Sequence, residues 1–542
     1  MKISLSLLFI LLAENFALSQ WSTNSGVNNP ICTQFDVQNT IQMISDGSGG
    51  AIITWIDYRL PGYSIFAQRI SGGGSNQWTT AGAQISPASI GGFAPAITGD
   101  DHGGAIITWI SGTSISAQHI NSVGVNQWGS NGVLVCATTA TQQAGGAKIT
   151  GDGSGGAILA WNDSRNNVGI NDDDVYAQHV NSNGVIQWAA NGVAVVAQTG
   201  YQGSLQLSSD GNGGAIIVWE DNRSGTDIDV YAQKVDAAGT MQWSANGVAL
   251  TSAIGGNEQY LQMVSDAGGA IMCWESRRSG TDFDIYAQKI NSSGVAQWTV
   301  NGVAACVAAN NQQFPQLATD GSGGAIITWQ DLRPATGGSS DVYAQRINSS
   351  GTVLWATDGE AVCSRSGSGA QTAPQIAPDG IGGATIAWTD GRSATNPNDI
   401  YAQRINASGN VLWTTNGAGV STATGNQRYP FIINDGINGM IVSWQDSRSD
   451  PNRDDIYAQR INPDGTLGRV VPLILSAPRR PNDSRFQFTI SGTAGRMYIV
   501  EASGNLTNWA AIATNVAPSD VFNYTNSNAT NLRQFYRVKQ GS

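Results

Sequence analysis

The apolar positions of this chain fall into one short pattern that returns eight times. In its clearest copy a first strand over 316–319 meets the turn Asp320-Gly-Ser-Gly-Gly324, and an almost unbroken apolar run follows over 325–330. A charged loop of variable length leads to a second apolar run at 342–347. The turn Asn348-Ser-Ser-Gly351 then opens a last stretch through Leu354, Trp355 and Val362. The unbroken run reads as a strand covered on both faces. The turn glycines permit positive φ at little steric cost. Each copy therefore predicts four short antiparallel strands, and no stretch predicts a long amphipathic helix.

The repeat is regular. Its first tryptophan recurs at Trp55, Trp109, Trp161, Trp219, Trp274, Trp329, Trp388 and Trp444, at spacings of 52 to 59 residues. A steady period of this size marks a repeat architecture. Four-stranded units arranged radially make a β-propeller; an open solenoid or a string of modules is the alternative. The ends of the array decide between them. The eighth copy has three strands (431–461) but no fourth-strand tryptophan, whereas Gln20-Trp21-Ser-Thr-Asn24 matches Gln297-Trp298-Thr-Val-Asn301 of the fifth copy. A ring needs that arrangement to close; an open stack would need capping units instead. The expected fold is all-β: a signal peptide at 1–19, an eight-bladed propeller over 20–467 closed by the N-terminal strand, and a small C-terminal β-sandwich over 468–542.

Repetition separates structural from unique residues. A second set, Trp21, Trp78, Trp128, Trp188, Trp243, Trp298, Trp355 and Trp413, marks the fourth strands. Burying one tryptophan removes about 150–250 Å² from water, so both sets are expected in the blade core. Gln68, Gln118, Gln178, Gln233, Gln288, Gln345, Gln403 and Gln459 recur likewise and are expected to bond backbone between blades. Asp-x-Arg after the second strand, with an Asp before the third (Asp331, Arg333 and Asp341 in the sixth copy), suggests an Arg fork between two carboxylates.

Charge and targeting narrow the setting. The net charge of −12 excludes a phosphate-binding basic face, hence no nucleic-acid partner. Lys2, the apolar run 3–12 and Ala17-Leu18-Ser19 read as a secretory signal, and no later stretch is apolar enough to span a membrane. A secreted or cell-surface monomer is expected. Five cysteines, Cys32, Cys136, Cys273, Cys306 and Cys363, without close Cys/His spacing, suggest buried free thiols.

Chemistry is harder to place. His102, His119 and His179 form no triad or metal pair, and the carboxylates are too periodic to single out an acid/base pair. Copies one to three depart most from the pattern in their charged loops. They supply the candidate ligand residues Tyr63, Asp172 and Asp173. Asp172, Asp173, Asp174, Asp227 and Asp229 are candidate Ca²⁺ ligands, without the spacing of an EF-hand loop. No other cofactor is indicated.

The units D-G-x-G-G-A-I-x-x-W-x-D-x-R, D-I-Y-A-Q-R and W-x-x-N-G resemble the repeats of secreted bacterial β-propeller proteins. The tail, with Leu506-Thr-Asn-Trp509 and Gln534-Phe-Tyr-Arg537, is similar to small C-terminal modules of such proteins. The resemblance implies a surface-attachment or accessory role. The leading expectation is a non-catalytic binding or adhesion propeller that takes a glycan or protein at its loop face. The alternatives are a carbohydrate-active enzyme, hydrolase or lyase, and a surface-layer component. Two carboxylates about 5–9.5 Å apart at non-repeated positions would mark the enzyme.

Overall fold

The computed structural model describes residues 21–540 except 61, 88–91, 138–145, 167–171, 253–254, 334–338, 366, 368, 394–395, 438, 469–472, 483–484, 493–496, 517–520, 528 and 530–534. The segment 1–19 lies outside the described residues. The chain divides into two compact units, Met1–Leu467 and Gly468–Ser542.

The first unit is a β-propeller. It contains eight four-stranded antiparallel sheets, seven of them built from consecutive strands. The eighth joins Gln427–Asn434, Met440–Asp450 and Arg453–Ile461 to the N-terminal strand Asn29–Cys32. Asn29 lies opposite Ala458 and Cys32 opposite Ile456. The innermost strands neighbour one another in sequence order, and Gln38–Ser45 of the first blade lies against Gln427–Asn434 of the last. The ring is thus closed by chain from both ends. Within the sixth blade the strands are Gln312–Thr319, Ala325–Asp331, Asp341–Ile347 and Glu360–Cys363. The fourth starts later than the sequence suggests: Trp355 sits in a turn before it, and only the bridge Ile347 to Val353 precedes it.

Most blades are pinned by one buried unit. In the sixth, the Trp329 indole N–H donates to Asp331 Oδ2 at 2.7 Å. Arg333 donates to both oxygens of that carboxylate and lies over the Tyr343 ring. The same unit recurs at Trp161/Asp163/Arg165/Tyr176, Trp219/Asp221/Arg223/Tyr231, Trp388/Asp390/Arg392/Tyr401 and Trp444/Asp446/Arg448/Tyr457. The expected fork between two carboxylates is therefore corrected. Arg clamps one Asp and stacks on an aromatic ring, while burial raises the pKa of the second Asp (Asp341 here). Arg333 also reaches back to Cys306 Sγ in the preceding blade, at 3.0 Å. All five cysteines are free and buried.

The recurrent glutamines also differ from expectation. Gln345 Nε2 donates to Ala356 O, and its Oε1 accepts from Trp355 N–H. The amide thus ties the third strand to the turn before the fourth within one blade, not between blades. Gln459 makes the same bond to Ser22 O, across the ring closure. At Gly324 a Cβ would come within 2.2 Å of Ile347 O, and at Gly359, with φ +90°, within 2.6 Å of the Trp329 ring. Only glycine fits these two places.

The second unit holds two three-stranded antiparallel sheets. Phe488 and Ile490 from one and Val500 from the other share one apolar cluster with Phe522, Tyr536 and Val538.

Replacing Asp331 with Ala leaves the Trp329 indole N–H without its acceptor and strips Arg333 of its carboxylate. The second blade tolerates such a lapse: Trp109 is followed by Ser111, and its indole N–H has no partner. Asp331→Ala should therefore cost about 2–4 kcal/mol without loss of the fold. A fall in urea midpoint read by tryptophan fluorescence would show it; an unchanged midpoint would contradict the role given to this carboxylate.

Candidate active site

Every innermost strand except the third carries a register shift facing the end of the second strand. At the shift one residue takes a left-handed backbone: Thr40, Ala94, Ser204, Tyr260, Phe314, Ala373 and Tyr429, with Gly146 in the third blade. Left-handed backbone is uncommon for bulky side chains, and strain of this kind gathers at functional sites. Three of these residues are aromatic and exposed: Tyr260 (48%), Phe314 (38%) and Tyr429 (59%). The Tyr260 and Phe314 rings meet edge to face at 5.1 Å.

At four of these positions the preceding blade supplies an acceptor for the backbone N–H from the residue just after its core tryptophan. Thr389 Oγ1 takes Tyr429 N–H at 3.1 Å, and Gln445 takes Thr40 N–H at 2.9 Å. Two blades use a carboxylate instead. Glu220 Oε1 accepts from Tyr260 N–H at 2.9 Å, and Glu275 Oε1 accepts from Phe314 N–H at 2.6 Å. The eight residues at this position are Ile56, Ile110, Asn162, Glu220, Glu275, Gln330, Thr389 and Gln445. Only the fourth and fifth blades are acidic there.

Both carboxyls are buried. Burial pushes Glu220 up to about 7, moderated by hydrogen bonds from Ser204 and the Tyr260 N–H, with a small further rise from Glu275. Burial also pushes Glu275 up to about 7, against the pull of the Phe314 N–H and the Gln259 amide, which donates to its Oε2 at 3.1 Å. Ser204 Oγ in turn lies 3.2 Å from Tyr201 Oη, so a hydroxyl chain runs from Tyr201 to Glu220. Glu258 is also pushed up to about 7 by burial. Its role is structural: the fifth blade has Ser276 where others carry the clamping Asp, and Glu258 supplies the carboxylate to Arg278 from the innermost strand.

Glu220 opens on a cleft of about 530 Å³ lined by Lys148, Asn162, Tyr201, Gln206, Gln259 and Tyr260 among others. The cleft lies where the innermost strands of blades three to five begin. A second cavity, of about 540 Å³, is lined by innermost-strand residues of all eight blades and forms the central channel. Lys148, Gln206 and Gln262 line both, so the cleft is one side of the channel mouth.

Of the candidates read from the sequence, Asp172 and Asp173 are bonded to the segment that carries Tyr201 into the cleft. Asp172 Oδ1 accepts from Gly200 N–H at 2.8 Å, and Asp173 O accepts from Gln202 N–H. Both therefore brace the crossover that delivers Tyr201. Asp174 accepts from Asn166, Asp227 from Ser224 and Thr226, and Asp229 from Thr251. Tyr63 is away from the cleft, its ring 5.5 Å from that of Tyr58. Among the described residues no group of three or more His, Cys, Asp or Glu is placed to hold a metal ion. Sequence reasoning missed Glu220 and Glu275 by treating all carboxylates as periodic. Aligning the one position after each core tryptophan isolates them.

No family model and no curated protein matches the chain. Among solved structures it is similar to the endo-arabinase of Bacteroides thetaiotaomicron, at 14% identity over 49% of this chain and 94% of that one, with a TM-score of 0.30. It is similar to the polysaccharide lyase Uly1 at 10% identity over 68% and 90%, TM-score 0.43. The α-L-arabinanase of Penicillium chrysogenum aligns at 10% identity over 69% and 96%, TM-score 0.35. Likeness at this level concerns the fold alone. The expectation of a non-catalytic binding or adhesion propeller is nevertheless corrected. The similar structures named here are an endo-arabinase, a polysaccharide lyase and an arabinanase, which belong to the alternative class weighed from the sequence.

Gln stands at the Glu220 position in two other blades, so Glu220→Gln should preserve the fold. A carboxyl raised from 4.5 to about 7 favours the folded state below its unfolded pKa. That contribution is lost as pH climbs through 4.5 to about 7. Glu220→Gln should therefore melt close to the parent at pH 5 and above it at pH 8, by about 1–3 kcal/mol. Calorimetry at the two pH values checks this; equal melting at both would place the Glu220 pKa in the ordinary range.

Proposed function

We propose that this protein is a carbohydrate-active enzyme that cleaves a glycosidic bond in a chain lying across the channel mouth. The observation that carries the reading is Glu220: a carboxyl at a non-repeated position, kept protonated near neutrality, facing a cleft rimmed by strained, exposed aromatic residues. Tyr260 and Phe314 offer apolar ring faces on which sugar rings can stack. Glu220 gives its proton to the leaving oxygen of the scissile bond, and the Tyr201–Ser204 hydroxyl chain orients it and can return a proton from solvent. Glu275, whose two oxygens already accept N–H bonds, is better supported as an anion. It is the group to accept the proton released at the opposite side of the bond, from attacking water in a hydrolase or from sugar carbon in a lyase.

The same reading places the activity outside the cell, supported by the leader-like pattern of 1–19 and by the absence, among the described residues, of a helix long and apolar enough to cross a membrane. The tail is read as a small β-sandwich accessory module, supported by the apolar cluster shared by its two sheets.

A panel of neutral and acidic polysaccharides, followed by reducing-end release and by the ultraviolet absorbance of unsaturated products, tests the activity and separates hydrolase from lyase. Glu220→Gln should lower kcat about 10²–10⁴-fold with little change in KM. Tyr260→Ala should act mainly on KM. Full activity in Glu220→Gln, or no cleavage across the panel by the parent, would overturn the proposal.

A further inference from the structure

Two residues beyond each left-handed position, the innermost strand turns a side chain toward the central channel. Around the ring these are Gln42, Ala96, Lys148, Gln206, Gln262, Gln316, Gln375 and Phe431. All eight line the channel cavity. Five are glutamine, so the wall is a belt of neutral amides. Lys148 is its one cation, and it sits on the side where the belt meets the cleft beside Glu220.

Lys148 differs from the other lysines of the propeller. Lys234 is paired with Asp210 at 3.0 Å and Lys289 with Asp266 at 2.7 Å. No carboxylate lies within ion-pair distance of Lys148 among the described residues, and it is only partly exposed. Its pKa is lowered by burial alone. An ammonium group desolvated without a counter-ion is costly unless a ligand supplies one. Glu220, the one carboxyl that lines the cleft with Lys148 among the described residues, is held protonated below about pH 7 and does not neutralise it there. The amides of Gln206 and Gln262, beside Lys148 in the same wall, add neutral hydrogen-bond donors. A locally cationic spot thus sits inside a protein of net charge −12.

We infer that Lys148, with the amides of Gln206 and Gln262, receives the carboxylate of an acidic sugar, so that the substrate of the cleft is a uronate-containing glycan. This rests on the cleft being a glycan site, as proposed above. It adds the class of glycan and the group that selects it. Lys148 contacts the substrate's carboxylate and orients the chain; Glu220 remains the proton donor.

The test uses the full chain, tri-galacturonate, its neutral counterpart tri-galactose, and a sulfated galactose trimer, with binding by calorimetry at pH 6. The parent should bind the uronate trimer at least tenfold more tightly than the neutral one. Lys148→Gln extends the belt by the residue that already fills five of its positions, so it should fold and lose that preference. Lys148→Arg should keep most of it. Equal binding of uronate and neutral trimers by the parent, an undiminished preference in Lys148→Gln, or stronger binding of the sulfated trimer than the uronate would each overturn the inference. The two proposals fail separately. Uronate preference without cleavage would leave Lys148 in its role and remove the enzyme. Cleavage of neutral glycans unaffected by Lys148→Gln would keep the enzyme and remove the uronate.

Discussion

Ring closure constrains everything else in this protein. Eight sheets can share one channel only if the last is completed by chain from the far end, and Asn29–Cys32 does so against Arg453–Ile461. Closure fixes the number of innermost strands around the axis and hence the channel that they line. The bonds that seal the last blade repeat those inside the others, Gln459 to Ser22 O being one. The closing strand is therefore an ordinary blade strand supplied from elsewhere in sequence.

Inside that frame two kinds of position divide the work. Those that recur hold blades together: the core tryptophan and the third-strand glutamine in all eight, and in six of them the clamped Asp–Arg pair stacked on an aromatic ring. At the face opposite the cleft a second repeated set pairs each turn Asp with a basic third-strand side chain, Asp320 with Arg346 in the sixth blade and Asp100 with His119 in the second. Positions that break the repeat gather at the channel mouth: Glu220, Tyr260 and Lys148 line it, and Glu275 and Phe314 contact its Gln259 and Tyr260. Their backbone demands are the same as in other blades. The N–H of a strained residue must be accepted, and Thr389 or Gln445 does so without an ionisable group. Carboxyls there add a burial-raised pKa that the fold does not need.

Much of the architecture was legible in sequence. The tryptophan period gave the blades, and the phase of Trp21 against Trp298 gave the closure. Contacts between repeated polar residues were not legible, because spacing says which residues recur but not which neighbours they face. Gln345 was expected to bridge blades and instead ties strand to turn within one. Arg333 was expected between two carboxylates, but the Tyr343 ring occupies the second side. The site was hidden for a different reason. Periodic aspartates outnumber the two informative glutamates, and the innermost strands vary too much in sequence for their common left-handed residue to be seen. Once that residue is placed, Lys148 falls into register with five glutamines.

Proton donation at the cleft requires that the carboxyls beside it hold their protons up to neutrality. A pH titration of the protein carrying ¹³C-carboxyl-labelled glutamate, read by NMR, tests this. The resonances of Glu220 and Glu275, assigned by their loss in the single Gln variants, should titrate near pH 7. Midpoints near the ordinary glutamate value of about 4.3 would mean that both side chains are charged at neutrality, and no proton donor would remain at the cleft.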